Sequence, residues 1–212
     1  MMTTGSARTG ASPYAVSAGA VADLIEAEPL CCILSGEVVR PVTAMLPQLV
    51  ERDVNGGLCE LFGHIPRRAP LAQQIGDGAP VAVLANGPNA YVSPTLVPQY
   101  DWGPTWNFAM ASIVGTWRLC EGETDDSLRR LTARLEGEGA TAWTVERMGP
   151  RYERLRHGVV AFRIAVTAIE PRFKLGQDES DANFAAIVAG HPDRDLAAWM
   201  RAFRSDNREQ RA

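Results

Sequence analysis

The hydrophobic positions of this chain change period several times, and each change marks an element. From Ser17 to Glu28 the apolar residues fall at helical spacing behind a serine suited to cap the first turn, and Pro29 ends the run. Leu30–Ser35 is a short, continuously apolar stretch that reads as a buried strand. Gly36-Glu37 is a tight turn, and Val38 to Val50 reads as a second strand that Pro41 and Pro47 place at an edge. Asn55-Gly56-Gly57 predicts a hairpin that returns the chain as a strand over Leu58–Phe62. A short helix is expected next, with Pro66 in its first turn and Ile75 at its end. Val81–Leu84 and Ala90–Val92 read as short strands around a turn at Asn86-Gly87-Pro88-Asn89. A loop rich in proline and aromatics, Ser93 to Trp106, leads into a strand over Asn107–Leu119.

The second half is plainer. Thr124–Glu138 is amphipathic with acids at its start, which suits the dipole of a helix. Tyr152–Arg156 is one more helical turn, and Val159–Ile169 is the clearest strand of the chain, with Lys174 to Gln177 just past its end. Two helices follow, about Asp181–Ala189 and Asp193–Phe203, before a polar tail from Arg204. Strands that arrive mostly as hairpins, with helices between and after them, predict an α+β fold built on a compact antiparallel barrel and not on a parallel nucleotide-binding sheet. One domain over residues 13–204 is expected, with a disordered tail at 1–12 and a polar tail at 205–212.

Composition changes the picture in three places. The 212 residues are 46% hydrophobic and 22% charged, enough to bury a core without disulfides. A net charge of −4 supplies no global basic field, so nucleic-acid binding is not expected. The four cysteines, Cys31, Cys32, Cys59 and Cys120, form no C-x-x-C pair and read as small buried hydrophobes in a reducing compartment. No basic start with an apolar run and no membrane-length segment is seen, so a cytoplasmic protein is expected. Among 21 lysines and arginines only Lys174 is a lysine, the one of the two cations whose proton can be tuned for transfer.

No motif with a self-evident mechanism is present: no P-loop, no G-x-G-x-x-G, no H-E-x-x-H and no G-x-S-x-G. Three places remain where chemistry can sit. His64 precedes Pro66, Arg67 and Arg68 at the expected helix start, a corner suited to an anion, and an imidazole there can serve as an axial metal ligand. The stretch Ser93–Asn107 gathers Tyr100, Trp102, Thr105, Trp106 and Asn107, which suits a flat conjugated ligand. Lys174 and Gln177, beyond a buried strand, can meet a phosphate, carboxylate or propionate. His157 precedes a strand and His191 lies in what reads as a surface linker.

Four stretches taken in order carry a resemblance. They are Gly63-His64-Ile65-x-Arg67, Gly87-Pro88-x-Ala90-Tyr91-Val92-Ser93-Pro94, Pro104-Thr105-Trp106-Asn107-Phe108 and Lys174-Leu175-x-Gln177. Together they resemble the PaiB family, the FMN-binding negative transcriptional regulators, from about Tyr14 to Val188. The resemblance implies a split β-barrel, a homodimer and a cofactor cleft at or near the subunit interface. The sequence also departs from the family. The usual G-H-I-A-R-A-N-P-Q has Pro66, Arg68, Ala69 and Leu71 at four places. The usual S-P-S-W-Y-P-S-K becomes Ser93 to Tyr100 without its lysine, Ser112 stands where a histidine is common, and K-L-S-Q-N becomes Lys174 to Asp178. Polar and cationic groups of the kind that hold a flavin phosphate are thus fewer, while His64 is kept.

That combination is similar to one branch of the family, the heme-dependent piperazate synthases of natural-product biosynthesis. These close N5-hydroxy-L-ornithine into the cyclic hydrazine L-piperazate by joining its two nitrogens. The resemblance implies heme b ligated by His64, with Arg67 or Arg68 on a propionate and Trp106, Asn107 and Gln177 around the cofactor. Lys174 is the first candidate for proton transfer; Tyr91 and Thr43 follow, as residues expected to point into the barrel cleft. The alternatives from the same family are an FMN-binding regulator, an FMN-dependent reductase and a barrel that only stores or degrades heme.

Overall fold

The computed structural model describes Tyr14, residues 16–36, 40–137, 139 and 141–209. The expected tail at 1–12 and the Glu37 half of the first turn lie outside the described residues. The elements are α1 (Ala18–Ala27), β1 (Leu30–Ser35), β2 (Val42–Pro47), β3 (Leu49–Arg52), β4 (Leu58–Pro66), α2 (Pro70–Gln74), β5 (Pro80–Val92), β6 (Thr105–Cys120), α3 (Thr124–Glu136), α4 (Pro150–His157), β7 (Val159–Lys174), α5 (Asp181–Gly190) and α6 (Arg194–Glu209).

All seven strands join one antiparallel sheet in the order β2-β1-β5-β6-β7-β4-β3. Its two edge strands, β2 and β3, are consecutive in the chain and separated only by Gln48. The sheet therefore curls until its edges meet, which removes most of the exposed edge that a flat sheet would present. The closure is tight enough that a Cβ on Gly63 of β4 would lie 3.0 Å from the carbonyl of Pro47 and 2.8 Å from the Phe162 ring.

Alternation along the strands sorts side chains inward and outward. Ile33, Leu61, Ile65, Val83, Ile113, Trp117, Phe162, Ile164 and Phe173 fill the interior, with Trp117 stacked on Phe162 at 4.5 Å. Each such fully buried aliphatic or aromatic contributes about 1.5–3 kcal/mol. Helix α1 begins at Ser17, whose Oγ accepts the Ala20 N–H at 3.1 Å, and buries Val21, Ala22, Leu24 and Ile25 against β3, β4, β5 and β6. Helix α3 lies outside the barrel over Phe62, Cys120 and Ala161. On that face Arg163 stacks 4.1 Å over Phe62 between the carboxylates of Glu60 and Glu123.

Several expectations are corrected. The second strand is two, because the chain breaks at Gln48, whose N–H turns to the Pro29 carbonyl. The two short strands around Asn86–Asn89 are one strand, since β6 pairs with both halves and the four residues form a bulge. Pro66 ends a strand and does not start a helix: β4 pairs with β7 up to Pro66, and α2 begins at Pro70. Strand β7 runs on to Lys174, opposite Phe108, and α6 runs on to Glu209. Cys59 is exposed and Cys32 half-buried, both on strand faces turned away from the core that holds Cys31.

Candidate functional site

His64 sits on the outward face of β4, two residues after Phe62 and opposite Ala161 of β7. It is half-buried, and its Nδ1 lies 3.2 Å from the hydroxyl of Ser127, a wholly buried residue of α3. Burial pulls the imidazole below its ordinary pKa, so the ring is neutral and one nitrogen carries a lone pair. In the tautomer that donates Nδ1–H to Ser127 the lone pair is on Nε2, the arrangement a metal-binding histidine uses. The expected helix start at Pro66 is absent, and the helix end nearest His64 is instead the first turn of α3, which carries Ser127. Arg67 is committed: its fork binds both oxygens of Glu121 at 2.6 Å and its Nε donates to the His157 carbonyl. Arg68 is exposed and forms no ion pair among the described residues.

A second group lies on the outer face of β5, β6 and β7. Tyr91 pairs with Trp106 across β5 and β6; both are about half exposed, with ring centroids 6.2 Å apart. Lys174 is in register with Phe108, and its Nζ donates to the hydroxyl of Thr105. Beside them the β5 bulge opens a cavity of about 290 Å³ lined by Asn86, Asn89, Trp106, Phe108, Ala109 and Met110. Thr43, on β2, is exposed on the same outer side, opposite Leu34. Tyr91 and Thr43 thus face outward, away from the apolar interior of the barrel.

Two other candidates are engaged by their own chain. Asn107 is buried, its amide donating to Met200 of α6. The Gln177 amide is used on both sides, by the Leu175 N–H at 2.7 Å and by the Phe173 carbonyl, which fixes the turn after β7. His64 and Lys174 are not brought together within one chain. Lys174 lies thirteen positions along β7 from Ala161, the neighbour of His64, roughly 40 Å along a strand.

Sequence reading missed His191. It is 2% exposed, and its ring bridges two backbone groups. Nδ1 accepts the Asp193 N–H at 3.0 Å, so the proton is on Nε2, which donates to the Tyr91 carbonyl at 3.0 Å. This ties the corner between α5 and α6 to the Tyr91 backbone. Its only sequence signal is a polar run between two helices, which reads as surface.

The family model described as "Putative FMN-binding domain" matches residues 12–168, most of the chain. The chain belongs to that family. A curated relative is the protease synthase and sporulation protein PAI 2 of Bacillus subtilis (strain 168), 26% identical over 134 residues. The match covers 60% of this chain and 62% of that protein, so the chain spans about three-fifths of the length of the curated relative. Among solved structures, the FAD and heme binding protein from Mycobacterium smegmatis aligns with a TM-score of 0.52 at 19% identity, covering 81% of this chain and 78% of its own. The flavocytochrome Anf3 from Azotobacter vinelandii aligns with a TM-score of 0.56 at 14% identity, covering 81% and 73%. These likenesses establish the split-barrel fold of this FMN-binding family.

Proposed function

We propose that this protein is a heme-dependent cyclase of the piperazate synthase type, converting N5-hydroxy-L-ornithine to L-piperazate. The observation that carries the reading is His64: a half-buried imidazole, biased toward its neutral form by desolvation, whose Nδ1 is held by Ser127, leaving Nε2 to bind iron. Arg67 is already paired with Glu121, and Arg68, which has no ion pair among the described residues, can meet a propionate. The fold neighbours that bind heme or carry it alongside flavin support the choice.

The reading requires a second copy of the chain. Leu30, Met45, Val114, Tyr91 and Trp106 leave a broad apolar outer face without a covering helix, the kind of surface that a monomer rarely exposes. A two-fold axis on this face runs the sheets antiparallel and carries the His64 end of one protomer toward the Lys174 end of the other. Trp106 and Tyr91 then stand against the partner's cofactor, and Thr43 faces the same seam.

Heme iron, when bound, supplies a Lewis acid that weakens the N–O bond of the hydroxylamine. The chain's own residues do the rest. The outer face folds the flexible substrate so that its two nitrogens meet and excludes water from them. Lys174, oriented by Thr105 and entering as the free amine, takes a proton from the α-ammonium, the Tyr91 hydroxyl delivers one to the departing oxygen, and the proton left on the α-nitrogen as the ring closes returns to Tyr91. One N–N bond forms, one N–O bond breaks, the hydroxyl leaves as water, and no external oxidant or reductant is required.

The test is an absorption spectrum of the purified protein with added hemin, followed by N5-hydroxy-L-ornithine. A Soret band at one heme per chain, lost in His64→Ala, and a product lighter by one water are expected. Lys174→Met keeps the band and turns over about 100-fold or more slowly. A second reading, an FMN-dependent protein, is favoured by the family's description; a bound yellow flavin with no heme uptake would establish it instead.

A further inference from the structure

The cavity opened by the β5 bulge is built, not incidental. Gly87 is pressed against α1, where a Cβ would lie 2.4 Å from Leu24 Cδ1. Only glycine lets the strand sink there, and the bulge turns Asn86 and Asn89 outward beside Trp106, Phe108 and Met110. Nothing in the heme site uses these two carboxamides. We infer that this cavity seats the α-amino and α-carboxylate end of a short-chain diamino acid, with Asn86 and Asn89 as the residues that recognise it. The inference rests on the cyclase reading for the diamino acid; the cavity's own groups account for the α-amino and α-carboxylate end.

The polar groups are divided as a zwitterion needs. Asn89 Nδ2 is spent on the Gly87 carbonyl at 3.2 Å, so its free atom is Oδ1, an acceptor suited to an amine N–H. Asn86 has no partner among the described residues, and its NH₂ is free to donate to a carboxylate. Across β6, the register sets Arg172 opposite Met110 and Lys174 opposite Phe108. Neither cation pairs with a carboxylate among the described residues, and Arg172 lies over the Tyr14 ring. The nearest acid on this face of β7, Glu170, is one outward position further along, opposite Ser112. Amides on β5 and cations on β7 thus flank an aromatic floor two strand spacings wide, about 10 Å, and Trp106 and Phe108 cover a methylene chain while Lys174 bounds the side away from Asn89. Gln177, the other amide at this end, is excluded because its own backbone occupies both of its polar atoms.

The experiment uses the full chain free of heme, with L-ornithine as an unreactive probe and tryptophan fluorescence and calorimetry as readouts. A saturable change is expected, with the fluorescence response lost in Trp106→Phe while calorimetry still detects binding. Asn86→Leu and Asn89→Leu each raise the half-saturating concentration about tenfold or more. Asn86→Asp sets a charge against the carboxylate and weakens binding further, whereas Asn89→Asp faces the amine and does not. Butane-1,4-diamine and pentanoate, each with half of the zwitterion, bind at least about tenfold more weakly. No saturable response to L-ornithine, or equal binding by wild type and both leucine variants, overturns the assignment. Failure of the cyclase reading shows elsewhere: ornithine binding without hemin uptake leaves this seat intact and removes the heme chemistry. Hydroxyornithine turnover with an unchanged KM in both leucine variants does the reverse.

Discussion

At the scale of single residues, the chemistry of His64 depends on what holds it. Gly63 before it leaves no room for a side chain between Phe162 and the Pro47 carbonyl, so β4 runs close to the edge seam and sets the imidazole under α3. Ser127 then fixes which nitrogen points away. Burial disfavours the imidazolium, so folded His64 gives up its proton more readily than the unfolded residue, whose ordinary value is 6.5. Its contribution to stability is complete above that value and is lost as the pH falls through the lower folded pKa. Hemin titrations should therefore keep their affinity at pH 6.5, where an exposed histidine is half protonated, and lose it only in more acidic buffer. Ser127→Ala frees the ring to choose the other tautomer and is expected to cut hemin affinity about 10- to 100-fold with the far-ultraviolet circular dichroism unchanged. Wild-type affinity in that variant, or a midpoint at the ordinary histidine value, refutes this account of the ligand.

At the scale of elements, what the sequence discloses and what it hides follow different physics. Helix α1 was legible because its cap, period and stop are all local: Ser17, the buried Val21-Ala22 and Leu24-Ile25 pairs, and Pro29. Strands β1 and β6 were legible in place, and the hairpin at Asn55–Gly57 was given by residues that favour positive φ, as Gly56 adopts. What failed was punctuation. Asn86-Gly87-Pro88-Asn89 has turn chemistry, but pairing with a sixteen-residue β6 keeps it in a strand, a long-range constraint absent from any local window. Pro66 was misjudged for the same reason, since β7 claims it. His191 is the clearest loss, because its value lies in two backbone partners far apart in sequence. Replacing it by leucine leaves the Tyr91 carbonyl and the Asp193 N–H buried without partners, at a cost of about 1–3 kcal/mol. Urea unfolding should show that loss, and Tyr91-dependent turnover should fall with it while the Soret band stays. An unchanged unfolding midpoint would mean that the bridge contributes nothing to docking α5 and α6.

At the scale of the whole molecule, the four resembling stretches are distributed so that one chain cannot assemble them. His64 lies at one end of the sheet and Tyr91, Trp106 and Lys174 at the other, and Met45 of β2 and Val114 of β6 are exposed hydrophobics on the outer face. The proposed two-fold dimer would resolve this by building each site from the His64 of one protomer and the Lys174 of its partner. This makes a prediction that no single-chain site shares. His64→Ala and Lys174→Met are each expected to be nearly inactive as homodimers. When the two are unfolded together at equal amounts and refolded, half of the dimers are mixed, and in each mixed dimer one site carries both defects and the other neither. Activity should therefore return to roughly a quarter of the wild-type value. A site contained within one chain gives no such rescue, because every protomer in the mixture still carries one defect. Charged substitutions at the seam sharpen the result: Val114→Glu with Met45→Glu should yield folded monomers by light scattering and abolish the rescue. Turnover that survives when the two seam substitutions alone make the otherwise wild-type chain monomeric would place the two halves of the site in one chain and remove the dimer from the mechanism.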